Sequence, residues 1–550
     1  MAAVADRPPF TVADLIVDAL RRLGIDTLFC LPGVQNDDFF DRLVDARDIR
    51  PIVTRHEQGA AYMAVGAAQA TGRPAAFAVV PGPGMLNAGA ALTSGYWSNA
   101  RVLAVIGQIP TAAMGRGWGV LHELPDQTAV LRQVTKQTEL LTDPASAAAQ
   151  IQRALDALVA GRPRPVSVEV PADRWSAPAE PTLLDPVAAR PSLDAGAIER
   201  AAVLLARAER PLIVVGGGAQ DAGEAVAALA TQLQAPVTTR RMGHGVIPTA
   251  HPLFAPLPVG RELWAEADVV VGIGSRLEWP LTRWGVDPGL TLIKIDVDPD
   301  ELDRHGATTV GICGDAGEAS LALVEALDAV GAKAGGRADR TAEVAQRRGR
   351  FEVELSRLRP QLDHLAAIRD VLPDDGVLVE DVTQVGFAAH LGFDFRRPRT
   401  FVSSGPAGTL GAGFAMGLGA QVALPDRKVV VVAGDGGFLF TATELATAVQ
   451  HRIALVTLVF DDGAYGNVRR IQQQRFGPDR TIASTLQNPD FVAFAESFGA
   501  LGLRATAADQ VRPLLQRAFE HDGPAVLVVD SGPMPDPWPF FLQGPVRGPV

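Results

Sequence analysis

Cysteine is nearly absent. Cys30 and Cys313 are the only two in 550 residues, and they show no metal-ligand spacing. That excludes a disulfide-stapled scaffold and a cysteine–zinc cluster, and it predicts a reduced, intracellular protein. Long apolar runs are also missing: no stretch reaches the ~20 residues a membrane helix needs. Positive charge is in deficit, with 50 Lys and Arg against 62 Asp and Glu, a net charge of −12. This argues against nucleic acid or an anionic membrane as partner. Met1 to Phe10 lacks the apolar centre of a secretory signal. The expectation is a cytoplasmic protein acting on small molecules. No repeat of short period is present.

What remains is ordinary for a globular chain: 47% hydrophobic, 20% charged, with 55 glycines. The length exceeds one core, so several domains are expected. Helical and strand patterns alternate throughout, which predicts an α/β class of doubly wound parallel sheets. Three such domains are read: 1–176, 192–330 and 351–550. The Pro-rich stretch 177–191 and the polar, charged stretch 331–350 are read as linkers. The tail from Pro533 to Val550 is Pro-rich and reads as irregular.

The richest stretch runs from Val429 to Gln472. Val429 to Ala433 is β-branched and apolar, as a buried parallel strand should be. It breaks at Gly434-Asp435-Gly436-Gly437. A helix pattern follows from about Thr441 to His451. A second apolar run, Ala454 to Phe460, ends in Asp461-Asp462-Gly463. A right-handed crossover sets both acidic loops on the same sheet edge. Side-by-side carboxylates repel unless a cation lies between them. Oxygen ligands at such an edge suit Mg²⁺, which commonly takes its remaining ligands from phosphates. Gly436 and Gly437 lack Cβ, so their backbone can approach an anion. The same residues could form a glycine-rich turn with a surface acid pair. The two strands and the second acidic loop favour Mg²⁺ and diphosphate.

This stretch resembles the signature of thiamine diphosphate enzymes, Gly-Asp-Gly followed about 25 residues later by Asn or Asn-Asn. The resemblance implies Asp435, Asp462 and the Ala464 carbonyl as Mg²⁺ ligands. It implies Gly434, Gly436, Gly437, Tyr465 and Gly466 around the cofactor. Asp461 and Asp462 stand where the family has asparagine. In S-S-G-P-A-G-T-L-G-A-G, Leu410 matches the wedge that bends the cofactor, and the Gly408 carbonyl matches an acceptor for its amino group. Gln384 matches a diphosphate-binding glutamine.

Near the N-terminus, R-H-E-Q-G-A-A-Y-M-A resembles the stretch carrying the family's activating glutamate, here Glu57. By itself Glu57 could simply favour a helix N-terminus. The resemblance instead makes it the catalytic carboxyl at the aminopyrimidine end. In the family that carboxyl comes from a second subunit, so a homodimer is the minimum and a homotetramer is common. The overall resemblance is to acetolactate synthases and 2-oxo acid decarboxylases. It implies decarboxylation, carboligation or both, with pyrimidine-binding, central and diphosphate-binding domains. A 2-hydroxyacyl-CoA lyase is the alternative; it would need a basic groove, and none stands out in the sequence. A non-catalytic binding protein is a third reading, against which Glu57 argues.

The substrate site departs from acetolactate synthases. His122-Glu123 replaces their Phe-Gln, and Ile471 stands in place of their Trp. His122, Glu123, Gln108, Gln35 and Asn36 are the candidates for substrate contact or proton transfer. In the central segment, Gly216-Gly217-Gly218 reads as a tight strand–helix turn. Phe254 to Gly260 stands where acetolactate synthases carry a flavin-binding loop, which argues against FAD.

Overall fold

The computed structural model describes residues 10–332 and 335–548. The expectation for the segment before Phe10, and the last two residues of the tail, lie outside them. Three six-stranded sheets follow one another, every strand pairing parallel. Numbered within each sheet, the first and third share the strand order 2-1-3-4-6-5, whereas the central sheet runs 3-2-1-4-5-6. Parallel strands need helical crossovers, which cover both faces. The strands are therefore apolar throughout rather than alternating. Val429–Gly434 shows this: Val429 to Ala433 are all fully buried.

The first and third sheets are joined by two helices of small residues. Glu57–Thr71 is buried from Gly59 to Ala70 and packs along Gly413–Ala423. A Cβ added at Gly66 would fall on the Met416 carbonyl, and one at Gly419 on the Met63 carbonyl. Glycine at these two positions is thus required by the closeness of the two backbones. The central sheet has its own apolar core.

The stretch read as a linker at 331–350 is structured in its second half. A helix, Thr341–Leu355, begins there, and Arg347 pairs with Glu262, Glu266 and Glu343. Its charges are the solvent face of a helix, whose buried side carries only Val344, Phe351 and Leu355. Composition alone does not separate such a helix from a polar loop. The Pro-rich tail likewise holds a short helix, Trp538–Phe541, with Phe540 buried.

Candidate active site

In the third sheet the strand order reverses between Val377–Glu380 and Val429–Gly434, which are direct neighbours. Ligands of open α/β sheets bind beyond the strand ends at such a point. Asp435 opens a single helical turn, Asp435–Phe438. Phe438 anchors that turn from below, 5.2 Å from the Phe414 ring and 5.9 Å from Phe491. Asp462 follows the neighbouring strand Val456–Asp461. The Ala464 N–H donates to Asp435 Oδ2 and to Asp462 Oδ1, each at 3.2 Å. Two acids 27 positions apart in sequence thus share one amide.

Burial raises the Asp435 carboxyl above its ordinary value. Burial and then the Asp435 charge push Asp462 up to about 6. Arg469 lies 3.7 Å from Asp462 and offsets part of this. The pair carries more negative charge than its surroundings compensate, which fits a divalent cation. Among the described residues no group of three or more His, Cys, Asp or Glu side chains is arranged to hold a metal. A cation here would draw further ligands from backbone, water or a bound anion.

Beside the acids lies a cavity of about 110 Å³. Gln384, Leu410, Gly434 to Gly437, Asp462 and Tyr465 line it. A Cβ added at Gly436 would stand 2.6 Å from the Tyr465 ring, and one at Gly437 3.1 Å from Leu410. Glycine keeps this floor open, as an approaching phosphate needs. Gly408 has φ +60° with open space around it. Buried Asp381 holds the loop bearing Leu410, accepting from the N–H groups of Gly411 (2.9 Å) and Gly413 (3.2 Å). Gln384 accepts from Arg470 at 3.4 Å. The helix Gly466–Phe476, which carries Ile471, borders this cavity and has no buried residue.

Glu57 is the first residue of its helix, with His56 capping it through the Gln58 N–H. Asn87 donates to Glu57 Oε2 at 3.0 Å. Among the described residues no side chain of the first domain lines the cavity of the same chain. Gln108 is buried and donates to the buried carboxylate of Glu169 at 3.1 Å; Gln127 does the same at 2.9 Å. Burial raises the Glu169 carboxyl. Glu123 accepts from the N–H groups of Gly117 and Val120, both at 3.0 Å, and so closes its own loop. His122 has φ +66°, with Nδ1 buried and unpartnered. Gln35 reaches the Leu121 carbonyl at 3.3 Å, and Asn36 the Val79 carbonyl at 2.9 Å. Gln35 and His122 therefore belong to one neighbourhood. Gln108 and Glu123 have their polar atoms engaged by the protein itself.

Three family models match this chain. They describe a thiamine pyrophosphate enzyme's N-terminal TPP binding domain at residues 10–130, its central domain at 198–324 and its C-terminal TPP binding domain at 381–529. A probable 2-ketoarginine decarboxylase of Pseudomonas aeruginosa is 34% identical, over 93% of this chain and 92% of its own. The acetolactate synthase large subunit of Corynebacterium glutamicum is 31% identical, over 97% of this chain and 89% of its own. The chain belongs to the thiamine pyrophosphate enzyme family. The acetolactate synthase isozyme 2 large subunit of Escherichia coli is similar at 29% identity, with 97% of each chain covered.

Within this thiamine pyrophosphate enzyme, three site residues carry no local sequence signal: Asp381, Asn488 and Glu444. Asp381 holds the Leu410 loop. Asn488 donates to Asp435 Oδ2 at 2.6 Å and to Asp461 Oδ1 at 2.8 Å. Asp461, of unclear role in the sequence, is thereby a partner of Asn488. Glu444 is buried in the third domain and accepts from the N–H groups of Arg55 (3.1 Å) and His56 (3.0 Å), directly before Glu57. Each departs from what a local pattern could signal, because its partners are distant in sequence.

A second cleft, of about 640 Å³, lies at the C-terminal edge of the central sheet. It gathers Arg164, Arg240, Arg241, Arg276 and Arg304. Arg164 stacks 4.1 Å from Tyr96 and Arg240 4.6 Å from Trp279. Burial pulls Arg240 down to about 10. No basic groove stands out in the sequence, yet the fold assembles one from arginines scattered over 164–304. The Gly216 to Gly218 turn borders it; Gly216 and Gly218 pack against the Gly274 backbone, where a side chain would not fit.

Proposed function

We propose that this protein is a thiamine diphosphate- and Mg²⁺-dependent enzyme that decarboxylates 2-oxo acids, joins the product to a second carbonyl compound, or both. The observation that carries the reading is the meeting of Asp435 and Asp462 on the Ala464 amide beside a glycine-floored cavity. Asp435, Asp462 and the Ala464 carbonyl would hold Mg²⁺. Gln384 and the backbone of Gly434 to Gly437 would hold the diphosphate, with Tyr465 and Gly466 beside it. Leu410 would support the cofactor's bent shape, and the Gly408 carbonyl would accept from its amino group. Bound thiamine diphosphate supplies an electron sink for breaking a bond next to a former carbonyl carbon.

Glu57 would hold a proton on its carboxyl for the pyrimidine end of that cofactor, with Asn87 orienting Oε2. It would act on the site of a second subunit, so a homodimer is the working unit and a homotetramer its natural extension. The cavity without first-domain residues and the uncovered helix Gly466–Phe476 both support a second copy. His122 and Gln35 would face substrate; Gln108 and Glu123 would act from behind, through the loops they hold. The chain carries no flavin in this reading and works in the cytoplasm.

The test is CO₂ release from a panel of 2-oxo acids that includes 2-ketoarginine, the compound in one relative's name. Turnover that requires both Mg²⁺ and thiamine diphosphate is expected. The arginine-lined cleft favours a second reading, cleavage of a 2-hydroxyacyl-CoA, because such a groove suits a nucleotide. Acyl-CoA cleavage without CO₂ release would replace the first reading with the second. Silence on both panels would return the protein to a non-catalytic role, and yellow flavin absorbance would overturn the absence of FAD.

A further inference from the structure

Three carboxylates converge at the end of the third sheet, and one neutral side chain ties two of them together. Asp435, Asp461 and Asp462 come from two neighbouring strand ends. Asn488 comes from the loop before the helix Phe491–Ser497. That loop is clipped against the acidic turn along its length. Tyr465 N–H donates to the Ser484 carbonyl at 2.9 Å, and Leu486 N–H donates to the Gly463 carbonyl at 2.7 Å. Ala464 and Thr485 form an antiparallel bridge. Buried Phe491 then locks the loop's far end against Phe438, under the Asp435 turn. The clip delivers the Asn488 amide between Asp435 Oδ2 and Asp461 Oδ1, at 2.6 and 2.8 Å.

We infer that Asn488 is a positioning residue for the cation ligand Asp435, acting as a two-armed clamp backed by Asp461. This rests on the reading of Asp435 as a cation ligand. A carboxamide nitrogen has two hydrogens, one for each acid. Both partners are carboxylates, which accept when ionised, so it is the NH₂ end that faces them. The choice of a neutral donor follows from charge. Lysine or arginine at this point would neutralise the pair and compete with a cation. An acid would add a fourth negative charge. The amide orients Asp435 and leaves its charge available. Its bond and that of Ala464 end on the same oxygen, Oδ2, which fixes the carboxylate plane. The second acid, Asp461, anchors the clamp: its Oδ1 also takes the Gly463 N–H at 3.2 Å, and its backbone carbonyl takes the Ser531 N–H at 3.1 Å.

The test is calorimetric titration of thiamine diphosphate into the purified full chain at a series of Mg²⁺ concentrations. Asn488→Ala should raise the Mg²⁺ needed for half-saturation by about tenfold or more, as partners of metal ligands commonly do. The thermal midpoint of the cofactor-free protein should stay within about 2 °C of wild type, a shift small for a domain of this size. Asp461→Ala should raise the Mg²⁺ requirement less. The double variant should be no worse than Asn488→Ala, because both act through one contact. Should Asn488→Ala fold poorly, the Asp461→Ala shift decides by itself. The inference is overturned if Asn488→Ala saturates at wild-type Mg²⁺, if Asp461→Ala does, or if the two losses multiply in the double variant. Wild-type protein that binds no thiamine diphosphate with Mg²⁺ overturns the proposed function, and this inference with it, before any variant is compared.

Discussion

At Asp381, burial and hydrogen bonding oppose one another. Burial dominates and raises its carboxyl from 3.8 to about 6, against the stabilising N–H groups of Val382, Gly411 and Gly413. A carboxyl raised in the fold adds stability that is complete below its unfolded value and is lost as pH rises through its folded value. Here the window is about pH 4 to 6. Asp381→Asn removes this titration and replaces one of the two accepting oxygens with a donor. Its thermal midpoint, relative to wild type, should therefore improve as pH rises from 4 to 7. A pH-independent difference would refute the assignment. Two further variants separate the ends of the proposed cofactor site. Glu57→Gln should bind thiamine diphosphate normally and slow H/D exchange at its C2 by roughly 10²–10⁴-fold, the usual worth of a placed proton donor. Asp435→Ala should instead raise the Mg²⁺ and cofactor concentrations needed for activity. Unchanged exchange in Glu57→Gln would remove that residue from its role.

The helix carrying Glu57 is aimed by an element from the other end of the chain. Glu444 takes two backbone N–H groups of the turn before Glu57, and His451 takes a third, from Val53 at 3.1 Å. Arg55 also donates to Gln450 at 2.6 Å. One helical segment, Ala442 to Gln450, thus follows the acidic turn at Asp435 and steadies the turn at Glu57. Glu444→Ala would take the acceptor from the part-buried Arg55 and His56 N–H groups, at about 0.5–1.5 kcal/mol. Chemical denaturation should show that loss, and a difference below about 0.5 kcal/mol would refute it. At this scale the sequence reads unevenly. The runs Val429 to Ala433 and Ala454 to Phe460 announce their strands by composition. Thr341–Leu355 does not announce its helix, because nearly all of its surface is polar and only three side chains are buried.

Across the whole molecule, the first and third domains repeat one strand order and press together through helices rich in glycine and alanine. Each chain holds one acid pair and one Glu57, yet among the described residues its cavity is lined by the third domain only. If Glu57 serves a neighbouring subunit, two defective chains can repair each other. Mixing Glu57→Gln subunits with Asp435→Ala subunits should create one intact site per mixed dimer and restore about a quarter of wild-type activity. Each variant by itself should stay near its own residual level. No recovery after subunit exchange, verified by a tagged pull-down, would place Glu57 and the acid pair of one site in the same chain.

Local chemistry settled the alternation of buried strands and crossovers, the glycine–aspartate turn at 434–437 and the acid at the head of a small-residue helix. Each is a pattern within a dozen residues, and side-chain size, branching and charge suffice to specify it. Tertiary structure alone decided which distant groups meet. Asn488 reaches Asp435 across 53 positions, Glu444 reaches His56 across 388, and the arginine cleft draws on all three domains. A hydrogen bond or an ion pair has no sequence period. Its partners are chosen by how packed layers close around a core, and that choice becomes visible when the layers are in place.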